Sequence, residues 1–157
     1  MSLRLDYNAA SPEGIRALRR VDGYLLNSGL SKRLLELVYL RISQINGCAY
    51  CINKHSGGLL KGGMDLEKVL LVGVWREADD LFDEVERAAL AWAESVTRVS
   101  ETNVPDCDYQ AAAAVFDEKQ LAVLTIAIAT MNAYNRLAIS FRVPPASARR
   151  RDLEIVG

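Results

Sequence analysis

Two cysteines, one histidine and one glutamate stand at spacings that suit thiol redox chemistry. Cys48 and Cys51 are three residues apart, the only histidine, His55, comes four residues after Cys51, and Glu36 precedes Cys48 by twelve. A thiolate, not a thiol, is the nucleophile, and a free thiol with a pKa of about 8.5 is only slightly ionised at neutral pH. Making it about a hundredfold more acidic takes about 2.7 kcal/mol of preferential stabilisation of the anion. A helix N-terminus supplies part of this through its free N–H groups and its dipole. A histidine one turn away can take the thiol proton, and a carboxylate can orient that histidine and stabilise its cation. The second thiol can then attack an oxidised first one and close a disulfide.

These residues need elements that bring them together. Ser31 is a suitable N-cap, and the run to Ile45 is rich in helix formers on a continuous apolar background. Asn46-Gly47 breaks that helix, since both residues tolerate the left-handed conformation. A second helix is expected from Cys48 to Leu60, closed by Gly62-Gly63. So short a break makes the two helices an antiparallel hairpin. At about 1.5 Å per residue, Glu36 lies roughly 16 Å from the break on one arm and His55 roughly 13 Å on the other, at matching heights. Cys51 and His55, four apart, share a face with Cys48 close by. By the helix dipole alone, Cys48 is the more acidic thiol, because it is nearer the N-terminus.

The set Glu36, Cys48, Cys51 and His55, within ELVYLRISQINGCAYCINKH, resembles the signature of the alkylhydroperoxidase D-like family in the carboxymuconolactone decarboxylase superfamily. Trp75-Arg76, the run ERAALAWAESVTR from Glu86 to Arg98 and the ending NRLAISFRVPP from Asn135 to Pro145 are similar to its small peroxidase-related members, so that the resemblance covers about residues 15 to 145. The resemblance implies an all-α helical bundle built on a central hairpin carrying the Cys-x-x-Cys pair, and a homo-oligomer, trimer or hexamer. It also implies reduction of hydroperoxides, with Cys51 matching the peroxide-attacking cysteine, Cys48 the resolving one, and Glu36 and His55 the proton relay. An external dithiol, lipoyl-bearing or thioredoxin-like, would restore the pair. One position departs from the pattern: well-studied members carry a second histidine just before the second cysteine, and here Tyr50 stands there.

The remaining chain is expected to pack around that hairpin as one domain over residues 1–157. Residues 1 to 10 read as extended. Ser11 and Pro12 start a helix to about residue 27, with Ile15, Leu18, Val21, Leu25 and Leu26 on its apolar face. Asp65 caps a helix over 66–78, and the Asp83/Glu86 capping box opens another to about Val99. A loop follows from Ser100 to Asp106, then a short helix to about Phe116, with Cys107 at its start as an incidental thiol. The Asp117/Gln120 pair caps the most apolar stretch, about 118–141, where Asn132, Asn135 and Arg136 make a lipid-facing helix expensive. Asn135 and Arg136 are expected to pair structurally rather than to line an interface or the site, and Trp75 to pack in the core rather than to line a substrate cavity. The tail after Pro144-Pro145 reads as a surface arm or subunit contact.

Composition narrows the function classes. Half of the 157 residues are hydrophobic, a quarter are charged, and the net charge is −1, which gives no general attraction to nucleic acid or anionic lipid. No apolar signal segment stands near the N-terminus, and three cysteines do not make a secreted disulfide framework, so a cytoplasmic protein is expected. In a reducing compartment a close Cys-x-x-Cys is catalytic or metal-binding. A thiol-disulfide oxidoreductase without a peroxidase role, a zinc site of Cys48, Cys51, His55 and Glu36, and a non-catalytic helical scaffold are the rival readings; neither a metal nor a cofactor is expected. The lactone decarboxylases of the superfamily lack the cysteine pair and fit poorly.

Overall fold

A computed structural model describes residues 2–145. Among the described residues the fold is all-α, without strands. The helices are α1 (Tyr7–Ala10), α2 (Pro12–Leu26), α3 (Lys32–Asn46), α4 (Ala49–Lys61), α5 (Leu66–Leu71), α6 (Glu84–Thr97), α7 (Val99–Thr102), α8 (Asp106–Ala113) and α9 (Glu118–Ser140).

The α3–α4 hairpin is central. Ser31 Oγ accepts from Leu34 N at 3.1 Å and starts α3, and Gly47 ends it at φ 70°, a conformation that strains any residue with a Cβ. α3 is buried on two sides. Leu35, Val38 and Ile42 face one apolar cluster, with Leu25, Trp92, Leu124 and Ile128. Leu37 and Leu40 face another, with Leu59, Val72, Trp75, Phe82 and Leu90. α4, α6 and α9 pack against it. Burial of about 1.5–3 kcal/mol per large apolar side chain makes this helix the main source of cohesion.

The apolar helix α9 opens with the expected Asp117/Gln120 capping box, as α6 opens with that of Asp83 and Glu86. α9 is long and apolar enough to cross a membrane, but half of its most apolar window is buried inside the protein, and Asn132 and Asn135 are among its buried residues.

Several local expectations are corrected. Residues 7–10 are helical, not extended: Asp6 Oδ1 accepts from Asn8 N and Ala9 N, and Arg4 N donates to Phe141 O at 3.0 Å, tying the N-terminal segment to the end of α9. The helix expected over 66–78 stops at Leu71 and tightens into a 3₁₀ turn over Val72–Val74. Two valines and a glycine hold an α-helix weakly, and the turn brings the Trp75 indole to Glu94. Residues 100–102, expected as loop, belong to α7, and α8 ends at Ala113, three residues early. Leu26 is 59% exposed, off the buried face of α2. The expected tail arm lies outside the described residues.

One polar cluster is buried within this frame. Glu94 on α6 accepts from Arg41 Nε at 2.6 Å, from Trp75 Nε1 at 3.0 Å and from Arg76. Burial opposes its ionisation, but hydrogen bonds from Arg76, Trp75 and Arg41 outweigh that and hold its pKa below the ordinary 4.5. Glu94→Ala leaves the largely buried Arg41 without its counter-charge and is expected to cost about 3 kcal/mol in urea unfolding at neutral pH. A depressed carboxylate stabilises the fold above its unfolded pKa and ceases to do so as pH falls through the folded value. The gap between wild type and Glu94→Gln is therefore expected to be full at pH 7 and to shrink below pH 4.5.

Candidate active site

The break at Asn46-Gly47 makes Cys48 the N-cap of α4. Its sulfur takes the place of the usual capping oxygen, with Cys51 N donating to Cys48 Sγ at 3.4 Å. Cys51 follows in the first turn, and the two sulfurs lie 2.7 Å apart. Both side chains are buried, at 2% and 3% exposure. A pair this close and this buried cannot carry two negative charges, so it holds one proton between its sulfurs.

That proton resides on Cys51. The Cys48 pKa is brought down to about 7: the Cys51 thiol donates to it, burial opposes, and the Cys51 N–H, the Asn135 side chain and the Tyr50 N–H add further hydrogen bonds to the anion. Cys51 is shifted the opposite way, because its proton is held by Cys48 and because it is buried, with Asn135 and the Lys54 charge acting against this. The dithiol therefore ionises as a Cys48 thiolate hydrogen-bonded by the Cys51 thiol.

His55 sits one turn beyond Cys51, 3% exposed, with Nδ1 2.7 Å from Glu36 Oε2. The height match across the hairpin thus becomes a hydrogen bond. A carboxylate acceptor at Nδ1 favours the tautomer with its proton there, which leaves Nε2 as the base. Tyr39 packs edge-on against the imidazole, with ring centroids 5.3 Å apart. Gly58, one turn after His55, makes room for the carboxylate: a Cβ there would meet Glu36 Oε2 at 3.0 Å and Cδ at 3.3 Å.

Cys51, His55 and Glu36 line one cavity of about 350 Å³. Tyr7, Tyr39, Tyr50 and Tyr134 form much of its wall, with Arg19, Lys32 and Lys54 as cations. Burial raises the pKa of Tyr7, Tyr39 and Tyr134 above 10, so these phenols stay protonated, and Tyr134 donates to Asp22 Oδ2 at 2.7 Å. Among the described residues no three His, Cys, Asp or Glu side chains converge as metal ligands. Cys107 is exposed at the start of α8, with Asp108 Oδ1 as a polar neighbour at 3.7 Å.

Two contributors escaped the sequence. Asn135 was expected to pair structurally, and it does, accepting from Asn46 Nδ2 at 2.9 Å and donating to Ser43 Oγ at 3.2 Å; yet its amide also favours the anion on both sulfurs. Gly58 offered one signal, a glycine inside a helix one turn from a candidate base, where it costs about 1 kcal/mol relative to alanine.

The rate of iodoacetamide labelling of the reduced protein is expected to rise with an apparent pKa near 7, with Cys48 modified first. Asn135→Ala should move that midpoint upward. A midpoint at the ordinary thiol value of about 8.5, or first modification at Cys51, would contradict the assignment of the shared proton.

Comparison with known proteins places the chain in a family. The family described as Carboxymuconolactone decarboxylase matches residues 12–95. The uncharacterized protein YdfG of Bacillus subtilis (strain 168) is 32% identical over 140 residues, 89% of this chain and 95% of that protein. Among solved structures, ATU0492 from Agrobacterium tumefaciens, described as a protein of unknown function and a candidate antioxidant defence protein AhpD, superposes with a TM-score of 0.88. It is 36% identical, over 92% of this chain and 98% of that one. An uncharacterized peroxidase-related protein from Silicibacter sp. TM1040 shares the fold at a TM-score of 0.77 and 23% identity, over 87% of this chain and 72% of that one. The chain belongs to the carboxymuconolactone decarboxylase family, in its alkylhydroperoxidase D-like branch.

Proposed function

We propose that the protein is a thiol-dependent peroxidase that reduces hydroperoxides through Cys48 and Cys51. The observation that carries the reading is that Cys51, His55 and Glu36 face one cavity together, while the acidic Cys48 lies 2.7 Å behind Cys51 and does not line it. Each thiol is suited to a different step.

A hydroperoxide in the tyrosine-walled cavity meets Cys51. His55 Nε2 takes the Cys51 proton as the sulfur attacks the distal oxygen, and Glu36 stabilises the imidazolium. The O–O bond breaks, Cys51 becomes a sulfenic acid, and the departing alkoxide takes the proton from His55. The Cys48 thiolate then attacks Cys51 Sγ and expels hydroxide, which takes a proton from solvent to become water. The sum is two thiols and one hydroperoxide giving a disulfide, an alcohol and water, and an external dithiol returns the pair to the reduced state. Tyr50, in place of the family's second histidine, leaves His55 as the imidazole of the relay.

The antioxidant and peroxidase-related descriptions of the structural relatives support this reading. A homo-oligomer, trimer or hexamer, belongs to it: Tyr109 and Ile126, 50% and 41% exposed, line one surface groove with Trp92 and Leu121 and suit contact with a second copy.

Mild treatment with hydrogen peroxide should remove two hydrogens from the peptide holding Cys48 and Cys51. Cys51→Ser should abolish turnover, and Glu36→Gln should slow it by about a hundredfold and change its pH profile. A dithiol that stays unchanged, or Cys51→Ser turning over at the wild-type rate, would overturn the peroxidase reading. Stoichiometric zinc on elemental analysis would favour a metal site instead.

A further inference from the structure

The cavity that Cys51 lines carries charge that the chemistry at sulfur does not use. Three cations stand in its wall: Arg19 on α2, Lys32 at the start of α3 and Lys54 on α4. Its two carboxylates are already engaged, Asp22 by the Tyr134 hydroxyl and Glu36 by His55. Among the described residues none of the three cations is in an ion pair, and Arg19 donates to the neutral Asn8 Oδ1 at 3.3 Å. The phenols of Tyr7, Tyr39 and Tyr134 stay protonated and supply no counter-charge.

Depth separates the cations from the reacting groups. Cys51 and His55 are buried, as are Ile15, Met131 and Ala138 in the same wall, whereas Arg19, Lys32 and Lys54 are exposed. The positive charge is still felt inside. Lys54 comes three residues after Cys51 on one helix face, about 4.5 Å along the axis, and its charge favours the Cys51 anion. Arg19 acts in the same sense on the phenols of Tyr7 and Tyr134. The cavity, about 350 Å³, has more room than hydrogen peroxide fills. It falls within the range of about 300–1,000 Å³ of pockets for small organic ligands. The groove of about 320 Å³ that Cys48 lines, between the start of α4 and the end of α9, shares none of these cations and has Arg142 as its charged side chain.

We propose that the cavity takes an organic hydroperoxide that carries a carboxylate, with its peroxide at Cys51, a compact hydrocarbon body against the tyrosines, and its carboxylate at Arg19, Lys32 and Lys54. This names the substrate class of the peroxidase function proposed above and rests on it. The chemistry is unchanged: one peroxide oxygen passes to Cys51, and the carboxylate stays on the alcohol product as a spectator. An anion that meets unpaired cations breaks no existing ion pair on binding. The same charges draw it to the cavity mouth from a distance. A neutral hydroperoxide of the same shape has the tyrosine walls alone, because nothing on it answers the cations.

One of the two tests needs no turnover. Binding of para-isopropylbenzoate and of its neutral isostere para-isopropylbenzamide to the reduced protein is measured by titration calorimetry. Neither compound contains a peroxide. The benzoate is expected to bind about tenfold more tightly at low ionic strength, and the difference should shrink in high salt. Arg19→Gln and Lys54→Gln should each reduce that preference, and the double variant should abolish it. Lys32→Gln replaces either one should it fold poorly. The second test compares turnover of cumene hydroperoxide with that of its para-carboxylate. The acid should have a kcat/KM about tenfold higher, mainly through a lower KM. Equal affinity for benzoate and benzamide, or a preference that persists in the folded double variant, overturns the proposal. Selective benzoate binding without turnover of either hydroperoxide supports the anion site and overturns the peroxidase reading.

Discussion

The site depends on the chain reversing over two residues at the end of α3. Gly47 takes the left-handed conformation that ends the helix, and Asn46 beside it donates from Nδ2 to the Oδ1 atoms of both Asn132 and Asn135, 2.9 Å each. The first feature reverses the chain; the second fixes the turn to α9. With the turn fixed, the register between α3 and α4 is fixed. An α-helix advances about 100° per residue, so a turn longer by one residue would carry His55 off the face that meets Glu36. The same reversal puts Cys48 at the N-cap, where free backbone donors face its sulfur. One local constraint therefore sets the relay distance and the acidity of a thiol together.

Burial then decides how charge is distributed. Each sulfur is almost wholly out of solvent, and desolvation disfavours the anion on both. Hydrogen bonds recover the cost for one sulfur alone, and that one is Cys48, which receives donors from α4 and from Asn135. Cys51 keeps the proton but has the only imidazole one turn away. The two thiols are therefore not equivalent: one is held as the anion by its donors, and the other keeps its proton beside an imidazole. Glu94 shows the same physics used for structure: a buried carboxylate kept ionised by three donors, away from the cavity.

What could be read from the sequence was local or periodic. The caps at Ser31, Asp83 and Asp117 and the break at Gly47 act within a few residues, and each stands where the residue types put it. Glu36 and His55 could be paired in advance because helical rise is constant. The N-terminal turn was missed although Asp6 is a good cap, because four residues of helix have no periodicity to show; tertiary bonds to Phe141 hold them. The 3₁₀ tightening at Val72–Val74 answers a contact with Glu94 on another helix, which no local pattern encodes. Asn135 was given a structural role over one at the site for the same reason: it lies 84 positions beyond Cys51 and reaches the sulfurs only once α9 packs on the hairpin.

Tyr50 gains meaning from this arrangement. At its position related proteins carry a histidine, a residue that moves protons. A phenol is large, flat and partly apolar. Standing between Cys48 and Cys51 in the sequence, on the first turn of α4, it lines both the cavity and the groove. The exchange of imidazole for phenol thus removes a second proton carrier and adds a wall. With a wall there, the space that Cys51 lines and the groove that Cys48 lines stay apart although the two sulfurs are 2.7 Å from each other. Cys51 therefore faces the cavity together with His55 and Glu36, while Cys48, the sulfur held as the anion, faces away from it.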